Sequence, residues 1–210
     1  MPLCSNHGLA LCARLFSLAV CVLALVISLP GKGAAFYTYF TIQTNIFVTA
    51  LFAVLTVQTA RGAKVPEPLQ LAVTLFITIT FVIYWTLLDS SGFSMTGMNK
   101  AKLSNLLLHG AVPILAILDW IIFMPHGQVG WQWAAIWLIY PALYCAGALV
   151  LGGLKLVSYG AAHYPYFFID AQRLTRGALI RNIALLSVGF YLLGLLYTAL
   201  DKGLAKLIGR

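Results

Sequence analysis

Residues 9–29, LALCARLFSLAVCVLALVISL, decide the fold. The stretch carries one charge, Arg14, and closes at Pro30-Gly31. A helix crossing hydrocarbon needs ~20 predominantly apolar residues, and this run supplies them. It is long for the apolar region of a signal peptide, and its one early basic residue lies inside it rather than before it. The sequence Leu18-Ala19-Val20-Cys21 has Val20 where a lipoprotein cleavage site needs a small residue. The run therefore reads as a first transmembrane helix.

Five similar runs follow. The second is expected at 37–60, closed by Arg61-Gly62, and the third at 69–88, after the turn Val65-Pro66-Glu67-Pro68. Each proline there disfavours helix at the residue before it. The fourth is expected at 103–123, before Pro125-His126-Gly127, and the fifth at 131–151, before Gly152-Gly153. The sixth is expected at 177–200, before Asp201-Lys202-Gly203. None alternates with the period of a barrel strand. In hydrocarbon the backbone must satisfy its own hydrogen bonds, which a helix does within one segment. The expected fold is all-α: a polytopic bundle of six transmembrane helices, one domain over residues 1–210. Six crossings put both termini on one side.

Composition excludes other classes. Of the 210 residues 61% are hydrophobic and 9% charged, against ~25% charged in an average soluble domain. A disordered chain and an ordinary cytosolic enzyme are ruled out. The formal charge of +8 comes from 13 Lys and Arg that lie at segment ends and in loops, where membrane proteins keep them. No basic stripe is interleaved with aromatics, so nucleic acid is not an expected partner. The basic residues divide almost evenly between the two sides, so charge does not set the orientation. The four cysteines form no CxxC pair, and neither a metal nor another cofactor is implied.

Polar residues inside spans are costly and point to function. Thr41 is about four residues into the second span, ~6 Å deep, and His109 is about six residues into the fourth, ~9 Å deep. Both enter from the same side. Asn45 shares the face of Thr41, and Asn105 that of His109, each by a four-residue step. Two polar stripes then frame a pocket, and a hydroxyl with an imidazole is the minimum for an activated nucleophile and its base. Other roles compete. Threonines in membrane helices usually return the hydroxyl to the carbonyl four residues before, and a buried histidine can bridge helices. Asp119 is ~15 Å along the helix from His109 and reads as interfacial. Asp89 and Asp170 read as solvated loop carboxylates on the His109 side. Pro113 withholds the backbone donor from the His109 carbonyl and is expected to kink the helix there.

Several of these residues form an ordered set: Phe40-Thr41 opening the second span, Asn105 four residues before His109, and Asp119 ten beyond it. Tyr164-Pro165 in the last loop and Tyr191-Leu192-Leu193-Gly194 in the sixth span complete it. In order and spacing, across nearly the whole chain, the set resembles a microbial branch of the androgen-induced-gene and androgen-dependent TFPI-regulating protein family of six-helix membrane proteins. The resemblance implies a hydrolase that cleaves fatty acid esters of hydroxy fatty acids inside the membrane. Carried over, the nucleophile falls on Thr41 and the histidine on His109. Thr44 is the rival nucleophile, and Phe40 favours Thr41. The chain departs from the family pattern at Leu106, where a second histidine is absent, and in a proline that follows His109 one residue early. In this scheme Asn45 or Asn105 donates to the oxyanion, and the partner is a membrane lipid or lipid ester. The rival functions are a non-enzymatic lipid-binding or carrier protein and a structural membrane subunit.

Overall fold

The computed structural model describes residues 2–63, 66–88, 97 and 99–209. Among them six helical segments are long and apolar enough to cross a membrane: His7–Ser28, Phe40–Ala60, Glu67–Leu88, Lys100–Phe123, Trp133–Gly153 and Arg176–Leu207. The fold class is all-α, and the protein is built as a multi-pass membrane protein.

Local chemistry explains the boundaries. Helix α1 (His7–Ser28) opens on Asn6, whose Oδ1 accepts from Leu9 N at 3.0 Å; asparagine is a favoured N-cap. Helix α2 (Phe40–Ala60) begins three residues later than expected, because Ala34–Thr38 forms a 3₁₀ turn. Helix α3 (Glu67–Ile83) starts inside the proline turn, with Pro68 in its first turn, where a missing N–H costs nothing. It continues into a π-turn, Tyr84–Leu88. The fourth crossing comprises α4 (Lys100–Leu106), a second π-turn at Leu107–Ala111, and α5 (Val112–Phe123). The fifth is broken into α6 (Trp133–Ile136) and α7 (Ile139–Gly153). Pro141 causes the break: it has no N–H for Trp137, four residues before, and its ring crowds that carbonyl. Helix α8 (Arg176–Leu207) runs past the Asp201-Lys202-Gly203 stretch expected to end it.

The chain forms two compact units. The first comprises residues 2–30, 41–129 and 199–209, within the described chain. Here α5 packs on α1 and α3, and the π-turn at Leu107–Ala111 lies against α1. Helix α3 buries residues on nearly every side, from Gln70 to Thr80, and forms the interior of this unit. Lipid tails are as apolar as leucine, so packing and interhelical hydrogen bonds hold such helices together, at ~0.6 kcal/mol per bond on average. Ser28 Oγ meets Ser104 Oγ at 2.6 Å, and Thr44 Oγ1 meets Thr80 Oγ1 at 2.8 Å.

Two buried charged clusters add to these. Arg14 donates from Nε to Asp119 Oδ1 at 2.9 Å, from Nη2 to Asp119 Oδ2 at 3.2 Å and from Nη1 to Thr59 Oγ1 at 2.5 Å. Asp119, read from the sequence as interfacial, is the buried counter-charge of Arg14. The second cluster is at His126. Its Nδ1 meets Asp201 Oδ1 at 3.0 Å and its Nε2 meets the Ile121 carbonyl at 3.0 Å. Asp201 Oδ2 accepts from Gly127 N at 2.9 Å, and Glu67 Oε2 from Gln128 N at 3.2 Å. These bonds explain why Asp201 does not end α8. Its carboxylate binds the 126–127 backbone and ring instead of capping a chain reversal.

The second unit comprises residues 31–40 and 130–198. Close approach is its theme. A Cβ on Gly152 would stand 2.5 Å from the Tyr164 ring, and one on Gly194 would stand 3.2 Å from Ala134 Cα. Tyr39 meets Tyr159 and Tyr166 edge-on, at centroid separations of 5.0 and 5.8 Å. The Phe40 N–H donates to the Tyr144 hydroxyl at 3.1 Å, and the Thr38 and Tyr159 hydroxyls are hydrogen-bonded. Asn182 Nδ2 donates to the Phe168 carbonyl at 3.0 Å, tying the loop to α8.

Candidate functional site

The site is built around Pro113. A helical proline offers no N–H to the carbonyl four residues before it, here His109, or to the one five before it, here Leu108. The chain responds by widening: Val112 N–H bonds the Leu107 carbonyl in the i→i+5 pattern of a π-turn. The Leu108 and His109 carbonyls are then served from outside. Asn45 Nδ2 donates to the Leu108 carbonyl at 3.2 Å, and Trp85 Nε1 to the His109 carbonyl at 2.8 Å. The expected kink is thus a π-turn, with the freed carbonyls caught by two neighbouring helices.

The His109 ring is buried and stacked on Tyr84, with centroids 3.7 Å apart and planes 11° from parallel. Tyr84 opens the other π-turn, so His109, inside one widened turn, stacks on the first residue of another. Asn105 does not share its environment. It is exposed while His109 is buried, because the wide turn starting at Leu107 breaks the four-residue register expected between them.

Thr41 is the second residue of α2 and is 9% exposed. Its behaviour differs from that of other threonines in the spans. Thr49, Thr56, Thr59, Thr74, Thr78, Thr80, Thr86 and Thr198 each donate the hydroxyl to the carbonyl four residues before. Thr44 donates three residues back, to the Thr41 carbonyl, at 3.1 Å. For Thr41 the residue four before is Tyr37, in the 3₁₀ turn. Among the described residues no hydrogen bond engages its hydroxyl. Thr44, the rival nucleophile, shares its hydroxyl with both the Thr41 carbonyl and Thr80.

Asn45 connects the two halves. Its amide nitrogen donates to the Thr41 carbonyl at 2.8 Å as well as to Leu108, which brings the Thr41 and His109 segments to one side chain. Both of its N–H groups are therefore spent on the fold, and an oxyanion is left no donor there. Its Oδ1 is buried and has no partner among the described residues.

The acids take other positions. Asp119 is committed to Arg14. Asp170, expected to be a solvated loop carboxylate, is instead buried in the second unit, where it accepts from Gln172 N at 3.0 Å and pairs with Arg173 at 3.3 Å. Asp89 lies outside the described residues. Among the described residues no three His, Cys, Asp or Glu side chains are grouped to hold a metal ion.

Sequence reading missed Tyr84 and Trp85. The signal was available. Both lie near the end of the third span that shares a side with His109, and a span with a freed carbonyl needs a donor. No family model, curated protein or solved structure matches the chain.

Proposed function

We propose that this protein is an intramembrane lipid-ester hydrolase with Thr41 as nucleophile and His109 as general base. The observation that carries the reading is the Thr41 hydroxyl. Thr41 is 9% exposed and its hydroxyl is unengaged among the described residues, while the other helical threonines described are tied to their own backbone. A hydroxyl without that bond is available to a base. His109 takes the Thr41 proton as Oγ1 attacks the ester carbonyl. The alcohol leaves with that proton, and an acyl-threonine remains. Water, deprotonated by His109, then cleaves the acyl-oxygen bond, releasing the acid and restoring the threonine hydroxyl. The resemblance extends the proposal to esters of fatty acids with hydroxy fatty acids.

A non-catalytic lipid-binding role is favoured by one feature, the Tyr84 ring stacked on His109, which would suit a histidine that merely packs helices. Labelling with a fluorophosphonate probe separates the two. The detergent-solubilised protein is expected to be modified at Thr41, and Thr41→Ala and His109→Ala to be unmodified. Folded wild type that takes no label, or label that persists in both variants, leaves the binding role standing instead.

A further inference from the structure

We infer that Asn45 and Trp85 are positioning residues for His109, and that the π-turn enforced by Pro113 is the device they act on; the inference rests on the Thr41–His109 reading. An unbroken α-helix would supply its own donors to the Leu108 and His109 carbonyls. Pro113 has no N–H for the His109 carbonyl, and the widened turn takes the Val112 N–H from Leu108 to Leu107, so the backbone carrying His109 is fixed from outside, by an α2 amide and by an indole in the Tyr84–Leu88 turn. The amide that holds Leu108 also holds the Thr41 carbonyl. One side chain thus sets the spacing of the nucleophile and base backbones. Trp85 fixes the next carbonyl, and the adjacent Tyr84 fixes the plane of the ring. These groups hold the Thr41 and His109 carbonyls, the adjacent Leu108 carbonyl and the His109 ring, as support for a preorganised site requires.

Two variants test this. Trp85→Phe keeps the ring and deletes the donor. Pro113→Ala restores an N–H that can close the turn into regular α-helix. Both are compared with wild type for the rate of fluorophosphonate modification at Thr41, its pH profile and the melting temperature. Pro113→Ala is expected to melt at or above the wild-type temperature yet label about a hundredfold more slowly, the scale of a 1 Å misplacement. Trp85→Phe is expected to label slowly with a displaced pH profile. Wild-type labelling rates in both variants overturn the inference. If wild-type Thr41 takes no label, the catalytic reading fails separately, and the ¹⁵N resonances of the His109 ring decide. Resonances displaced in both variants sustain the positioning role, and unchanged resonances overturn it.

Discussion

Trp85 and His109 are joined by an indole N–H to backbone carbonyl bond of 2.8 Å, and each belongs to a π-turn. Such turns account for well under 1% of residues in ordinary proteins. Here two of them meet, and the bond between them uses a carbonyl that a regular helix would have kept. The distortion of the fourth crossing follows from one proline, and its repair from side chains on two other helices.

The two threonines at the start of α2 should respond oppositely to loss of the hydroxyl. Thr44→Val removes the contact with Thr80 and should cost ~1 kcal/mol, in the range for interhelical hydrogen bonds. Thr41→Val has no such bond to lose and should leave stability unchanged while abolishing modification at that position. Thermal unfolding in detergent reads both. A larger cost at Thr41 than at Thr44 would contradict the hydrogen-bond assignment.

Arg14 and Asp119 should be strongly coupled. Removing one partner leaves a buried charge uncompensated, so Arg14→Met or Asp119→Leu alone should cost ~3–5 kcal/mol. The double variant replaces the pair with apolar side chains and should recover most of that loss. A double-mutant cycle measured by reversible unfolding gives the coupling. Additive single and double effects would show that the pair is not what holds α1 to α5.

Gly152 should not tolerate a methyl group. A Cβ there would stand 2.5 Å from the buried Tyr164 ring. Gly152→Ala should therefore destabilise the second unit by ~1–3 kcal/mol, as overpacking does. Gly147→Ala, where nothing lies within 4 Å of the added carbon, is the matched control. Equal melting temperatures for the two variants would refute the close approach.

The tyrosine cluster should loosen only in alkali. Burial raises the Tyr39 pKa above its usual value, and the neighbouring Tyr159 adds to the shift. The folded state therefore favours the neutral phenol. Its contribution is complete below the ordinary tyrosine pKa of ~10 and is lost as pH rises from there through the folded value. Phenolate absorbance should show a late phase in which Tyr39 takes part, and Tyr39→Phe should lower its amplitude by one phenol. An unchanged late amplitude in Tyr39→Phe would show that Tyr39 titrates as an exposed tyrosine does.

The six crossings were legible because apolar length is a property of single segments. Leu9–Leu29 announces a span whatever surrounds it. Proline effects were legible in part. Pro113 identified His109 as the carbonyl left over, but which donor would take it depends on how α2 and α3 lie, and no local pattern states that. Pro141 carried the same signal for Trp137, and the break in the fifth crossing could have been read from it. Arg14 and Asp119 are 105 residues apart, and only their shared side hinted at a pair. Asp201 looked like a helix terminator because Asp-Lys-Gly favours a chain end. Its contacts with His126 and Gly127 overrode that preference. Thr41 and His109 were singled out by depth and spacing, but the amide joining their segments was expected to serve an oxyanion instead.

The Arg14–Asp119 pair also constrains the order in which the protein can be assembled. Ribosomes make proteins from the N-terminus, so the guanidinium emerges long before its carboxylate exists. Until α5 is made, α1 carries an unmatched cation, and a charge held within a span costs ~2.5–3.5 kcal/mol on insertion scales when central, less near an end. The first helix must therefore hold Arg14 toward the headgroups, and settle to its final depth only when α5 arrives. Docking of α1 is, on this account, a late event in biogenesis.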